Sequence, residues 1–166
     1  MKNITKKAVF VGRFQPLHKG HKRAIENQSK EYGLVIAVGS PEKSRTERNP
    51  LSYSERKKLL DDCFPELEKI PVQDEDRGEE GYPAWGRRLI QRTDADTVIT
   101  RNDTVIDIIE DFTDAEIVEH APHKPEKYSG ERIREKIRGG DRWKGLVPDC
   151  SQEKTSEYEA IVEETV

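Results

Sequence analysis

Cysteine is almost absent from the chain. Cys63 and Cys150 are too few and too far apart for a disulfide scaffold or a paired-cysteine metal site, and they are expected to be two ordinary thiols. No apolar run is long enough to cross a bilayer and no charged-then-apolar leader opens the sequence, so a soluble cytoplasmic protein with no membrane partner is expected. Aromatic residues are also sparse at 7%, and mean hydropathy is −0.92, so the core must be assembled from short, concentrated apolar segments. There is no repeat at solenoid spacing. Neither G-x-x-x-x-G-K-[ST] nor a G-x-G-x-x-G after a strand occurs, which removes support for a Walker-type or dinucleotide-binding reading. No serine, cysteine or lysine has an obvious partner base, so a covalent intermediate is not indicated.

The 166 residues predict one domain, with residues 1–150 forming its body and 151–166 an acidic C-terminal helix or tail. The net charge of −4 conceals a strong asymmetry. Residues 1–30 carry eight basic residues against one acidic, residues 41–60 six against three, and residues 124–144 eight against four. Residues 61–120, by contrast, carry eighteen acidic residues against six basic. A nucleic-acid coat would make the whole domain basic, so no nucleic-acid partner is expected. Three basic stretches on an acidic chain fit either a local anion site or solvated helix faces.

Residues 8–12, 34–38, 70–72, 97–100 and 116–119 are short segments rich in β-branched residues and are predicted strands. Helical patterns fall between them at about 19–31, 52–63, 83–93, 103–112 and 130–138. The alternation predicts an α/β fold with a mainly parallel sheet. Ser52 with Glu55 reads as a capping box, and Ser129 stands where an N-cap would open the last of these helices. Residues 74–81 are expected to form a polar loop. In such a sheet ligands bind beyond the carboxyl ends of the strands, and Gly12-Arg13, Gly39-Ser40 and Arg101-Asn102 all directly follow predicted strands.

The first of these junctions, GRFQPLHKGH over residues 12–21, is the most unusual stretch. A Cβ at Gly12 would obstruct a close ligand, and Gly20 lies at a helix start whose free N–H groups favour phosphate. His18 and His21 are three residues apart, so both rings can face one anion. A zinc site or two structural histidines are the competing uses of the pair; no cysteine or third histidine lies at ligand spacing.

GRFQPLHKGH after a strand, followed much later by YSGERIR opening a helix at residues 128–134, resembles the HxGH nucleotidyltransferase superfamily. Within it, the chain is most similar to the archaeal-type nicotinamide-nucleotide adenylyltransferases. Gly39-Ser40, Arg48 to Pro50, Glu55-Arg56, Ile70 to Asp74 and Leu146 to Pro148 fall in family order, and the similarity runs over residues 8–149. The resemblance implies a Rossmann-like open parallel sheet of five strands with helices on both faces. It implies that the 5′-phosphate of nicotinamide mononucleotide, or of its deamido form, attacks the α-phosphorus of ATP, giving NAD and pyrophosphate. Mg2+ would bridge the ATP phosphates, held mostly by phosphate and water and by no assigned protein ligand. His18, His21 and Arg134 are thereby expected to act in catalysis. Gly12, Arg13, Phe14, Gly20, Arg48, Asn102 and Ser129 are expected to bind ATP. Gly39, Ser40, Asp74 and Trp85 would line the acceptor site, with Trp85 stacking on the nicotinamide or serving as an ordinary half-buried indole. A homo-oligomer is implied by the same resemblance.

Three positions depart from the pattern. The loop between Asp74 and Trp85 is longer and more acidic than the family norm and lacks its asparagine before the tryptophan. Glu131 stands where threonine is usual, and its carboxylate must turn to solvent, pair with a cation such as Arg132, or help to hold a metal. Arg101 replaces glycine beside the expected adenosine site. A relative with another acceptor or nucleotide, and a nucleotide-binding regulator without turnover, remain open on the residues alone.

Overall fold

A computed structural model of the chain describes residues 6–74, 77–121 and 123–165. Residues 75 and 76, in the expected polar loop, lie outside the described residues, and the rest of that loop includes a 3-10 turn at Gly78–Gly81. Five strands, β1 (Lys7–Gly12), β2 (Gly33–Gly39), β3 (Glu68–Val72), β4 (Thr97–Ile99) and β5 (Glu116–Val118), form one parallel sheet in the order β3-β2-β1-β4-β5. Five helices connect or follow them: α1 (Lys19–Ser29), α2 (Tyr53–Cys63), α3 (Tyr82–Thr93), α4 (Asp103–Phe112) and α5 (Gly130–Arg138). A sixth, α6 (Thr155–Glu164), follows a 3-10 turn at Asp149–Lys154.

Both faces of the sheet are covered, which is why the central strands read as unbroken apolar runs. Along β1, Ala8 and Phe10 point into a core built with α1, α2, α5 and α6, represented by Ile25, Leu60, Ile133 and Tyr158. Val9 points into a second core with α3 and α4, where it meets Trp85, Leu89, Val98 and Ile109. The strand order reverses between β1 and β4, so their C-terminal ends open a crevice at the point where ligands bind in such sheets.

One expectation is overturned. Cys63 at the end of α2 and Cys150 in the last 3-10 turn form a disulfide, with Cα atoms 5.2 Å apart across a sequence separation of 87. Folding brings the end of α2 against the segment after Val147, an adjacency that separation along the chain does not reveal. In the loop-entropy picture a ring of this size stabilises the fold by about 4.6 kcal/mol. The C-terminal segment is likewise fastened: Tyr158 and Val162 of α6 are buried, and Lys154 pairs with Asp62 of α2.

Candidate active site

The loop after β1 and the start of α1 are built by their own side chains. His18 is the N-cap of α1, its Nδ1 accepting from the backbone N–H groups of Gly20 (3.0 Å) and His21 (3.3 Å). In return, the His21 Nδ1 accepts from the His18 N–H at 3.2 Å, closing a capping box. The rings stack with centroids 3.7 Å apart. These bonds fix the tautomer: with both Nδ1 atoms accepting, each neutral ring carries its proton on Nε2. Burial lowers the His18 pKa from 6.5 to about 3, and burial together with the charges of His18 and His120 lowers that of His21. The pair is therefore two neutral donors. The first-turn N–H groups of Gly20 and His21, expected to meet an anion, are instead used by the cap.

The glycines also serve a purpose other than the one expected. A Cβ on Gly12 would lie 2.9 Å from the Phe14 ring, and one on Gly20 would lie 2.8 Å from the His18 ring. They make room for the loop's own rings. Phe14 itself is buried with φ of 54°, and Ser40, just after β2, has φ of 48°. Two non-glycine residues in the left-handed region thus mark the ends of the central strands.

Three adjoining cavities occupy this rim. One of 480 Å3 is lined by Arg13, Phe14, Arg48, Arg134 and Arg138, with Glu47, Glu131 and Glu135 on the same walls. A second of 290 Å3, at the β1/β4 crevice, is lined by Gly12, His18, Gly20, Arg101, Asn102 and Ser129, among others. A third of 460 Å3 is lined by Ser40, Asp74, Trp85 and the start of α4. They share walls: His21 and Gly130 belong to the first and second, and Arg13 and Arg48 to the first and third. Of the sequence-predicted residues only Gly39 lines none of the three, its carbonyl accepting from Arg56 at 2.8 Å.

Arg134 is buried and donates to the Gln15 carbonyl at 2.8 Å, which anchors it on the cavity wall. Its pKa is lowered first by burial and then by Arg13 and Arg138, while the Glu131 charge acts in the opposite direction. Glu131 is exposed on the wall of the arginine-rich cavity, where it offsets part of that positive charge. Ser129 caps α5, its Oγ accepting from the Arg132 N–H at 3.1 Å. In the third cavity the Ser40 hydroxyl donates to Asp74 at 2.7 Å, and Lys43 pairs with the same carboxylate oxygen at 3.2 Å. Trp85 is buried in the second core and also lines this cavity.

Residues 9–146 match the family described as cytidylyltransferase-like. The chain belongs to that family. It is 31% identical over 163 residues to the nicotinamide-nucleotide adenylyltransferase of Methanolobus tindarius, covering 94% of this chain and 91% of the relative. The namesake enzyme of Methanosarcina acetivorans is 32% identical over 162 residues, covering 93% and 90%. Among solved structures, a bifunctional NMN adenylyltransferase/ADP ribose pyrophosphatase from Francisella tularensis, complexed with AMP and a Mn ion, superposes with a TM-score of 0.72 at 16% identity. That match covers 95% of this chain and 52% of the Francisella chain, about half its length. A NadR protein in complex with NAD and AMP-PNP superposes with a TM-score of 0.63 at 20% identity, over 84% of this chain and 44% of the other. At these identities the structures establish the fold, and it is the expected nucleotidyltransferase fold.

Three residues at this rim were given no role by the sequence reading. Arg56 is fully buried in α2 and donates to five backbone carbonyls: Ser52, Arg13, Gly39, Ser40 and Lys43. The available signal was its place on the same helix face as the buried Leu59 and Leu60. Gln15 pairs with both backbone groups of Leu51, at 2.9 and 3.0 Å, joining the β1 loop to the segment that carries Arg48. His120, beyond β5, lines the 290 Å3 cavity, and with His123 it forms a second H-x-x-H pair in a chain with four histidines.

Proposed function

We propose that the chain transfers the adenylyl group of ATP to the 5′-phosphate of nicotinamide mononucleotide or its deamido form, giving the dinucleotide and pyrophosphate. The observation that carries this reading is the shared wall. Arg13 and Arg48 stand between the cavity suited to the triphosphate and the one containing Trp85, so both phosphates meet the same cations. In a single displacement, an oxygen of the acceptor phosphate forms a bond to the α-phosphorus. The bond from that phosphorus to the bridging oxygen breaks, and pyrophosphate leaves with the electron pair. The attacking phosphate is already an anion, so no base is required, in agreement with two histidines held neutral. Their Nε2–H groups would hydrogen-bond the oxygens of the reacting phosphate as its charge redistributes, and Arg134 and Arg138 would hold the departing pyrophosphate. Among the described residues no group of three or more His, Cys, Asp or Glu is arranged to hold a metal ion. We assign magnesium to the substrate, as MgATP, where it neutralises phosphate charge.

The test is pyrophosphate release with MgATP and a panel of phosphate acceptors. Release with the nicotinamide or deamido nucleotide is expected. Release only with other acceptors, or none despite ATP binding, would overturn the assignment. His21→Ala is expected to lower kcat by about a hundredfold with ATP binding less affected. No described helix is long and apolar enough to cross a membrane. We propose a cytoplasmic setting, where ATP is available, and a homo-oligomer, which light scattering would check.

A further inference from the structure

Lys19, Lys22 and Arg23 belong to the most basic stretch of the chain, yet none of them lines the three cavities of the rim. With Glu26 they follow the i, i+3, i+4, i+7 spacing that sets side chains on one face of a helix, here α1. That face forms one wall of a separate cavity of 430 Å3, and Pro148, Asp149 and Cys150 form another. Lys22 pairs with Glu26 at 3.1 Å, so Asp149 is the remaining carboxylate on these walls to oppose Lys19 and Arg23. His123 lines both this cavity and the 290 Å3 cavity that contains the histidine pair, so the two spaces adjoin.

The cationic cavity has a disulfide cysteine on its wall. The two halves of that disulfide differ in access. Both cysteines are partly exposed, but Cys63 packs against the first core, directly follows Asp61 and Asp62 in sequence, and is not on the walls of the cavity. Cys150 faces an open volume in the range of small-molecule sites. A thiolate attacks a disulfide sulfur in line with the bond that breaks, so it needs free space on the side away from the departing sulfur. Nearby cations draw in an anionic nucleophile and favour thiolate chemistry. Space and charge both select Cys150. In the cytoplasmic setting proposed above, a disulfide that solvent reaches is also exposed to small thiols.

We propose that Cys150 is a site of reversible thiolation by a small anionic thiol, one that carries a carboxylate, sulfonate or phosphate group. The sulfur of the thiol bonds to Cys150 Sγ, the bond from Cys150 Sγ to Cys63 Sγ breaks, and its electron pair leaves on Cys63. The proton given up by the thiol ends on Cys63, so the thiol sulfur is oxidised and the Cys63 sulfur reduced. Attack of the Cys63 thiolate on Cys150 Sγ, with departure of the small thiol, restores the disulfide. The inference does not depend on which reaction the neighbouring site performs.

Mercaptoethanesulfonate, mercaptoethanol and cysteamine are close in size and differ chiefly in the charge of the end group. The rate at which each opens the disulfide of the native wild-type chain is followed by alkylation and mass spectrometry and expressed per thiolate. It is expected to be about fivefold higher for the sulfonate than for mercaptoethanol at low salt and lowest for cysteamine, the differences vanishing above about 0.5 M salt. Lys19→Gln with Arg23→Gln is expected to remove the advantage of the sulfonate. Peptide mapping after an early quench should find the adduct on Cys150 and the alkylating label on Cys63. Equal rates for the three thiols, an adduct on Cys63, or a disulfide that opens only in denaturant would overturn the proposal. The salt dependence and the position of the adduct are read on wild type, so they decide the matter even where the double variant folds poorly.

Discussion

Arg56 is the residue whose removal should reveal most about how the site is held. Its guanidinium is fully buried, and its five donors reach carbonyls of the loop after β1, the loop after β2 and the first turn of α2 at 2.8 to 3.4 Å. Those two loops carry Arg13 and Ser40, and they hold Phe14 and Ser40 at positive φ. Arg56→Met keeps the length and the apolar stem but leaves the carbonyls without a donor. Each hydrogen bond to a charged group contributes about 1.5–3 kcal/mol, but the five act as a unit and do not sum; breaking a buried network of this kind costs about 3–5 kcal/mol. For a domain of this size that is a fall in Tm of roughly 10–15 °C. Below both melting temperatures the KM values for ATP and the acceptor should rise together, because Arg13 lines both cavities. Thermal unfolding by circular dichroism and steady-state kinetics check the two halves. A Tm within 3 °C of wild type, with both KM values unchanged, would refute the claim that Arg56 positions the rim.

Acid should destabilise the fold through His18. Its native pKa of about 3 lies below the ordinary 6.5, so the unfolded state takes up the proton first. The contribution is complete above pH 6.5 and declines as pH falls, reaching a loss of about 2 kcal/mol at pH 5. His18→Asn retains an acceptor for the helix N-terminus without this titration, so its stability difference from wild type should narrow by about that amount between pH 7 and 5; parallel urea curves would contradict this. Cys63→Ser with Cys150→Ser should lower stability in urea by about 3–4.6 kcal/mol, and wild type treated with reductant should match the double variant. Gly130→Ala would set a Cβ 2.9 Å from the Arg134 guanidinium and 3.0 Å from the Gln15 carbonyl. At least a tenfold loss in kcat/KM is expected, corresponding to a displaced Arg134 hydrogen bond, and unchanged kinetics would separate Arg134 from the reaction.

The strands were legible because both of their faces are buried, which leaves apolar runs bounded by polar residues. The edge strand β3 was read two residues short because Glu68 and Lys69 are polar; the Lys69 side chain is nonetheless buried, and its ammonium reaches Asp61 at 2.8 Å. The helix starts were legible at Ser52 and Ser129 because capping is local chemistry. α6 was harder to distinguish from an acidic tail, since what fastens it is contact with the rest of the fold. The residues that line the three cavities could be located because they cluster at strand ends and helix starts. What they do locally was not legible: that His18 uses its Nδ1 as a cap, or that Gly12 accommodates Phe14, depends on distances within a loop. The disulfide and the Arg56 network depend on contacts between residues far apart in the chain.

The Cys63–Cys150 bond also changes what a break in the backbone would mean. It encloses residues 63–150 in a covalent ring that contains β3, β4, β5 and α5. A protease cut anywhere between the two cysteines leaves one molecule, and after a cut between residues 63 and 134 a piece with β1, β2 and the histidine pair stays tied to a piece with Arg134. Clipped protein would run as a single band on a gel without reductant and as two with it, and the two pieces would remain at the high local concentration of a tethered pair.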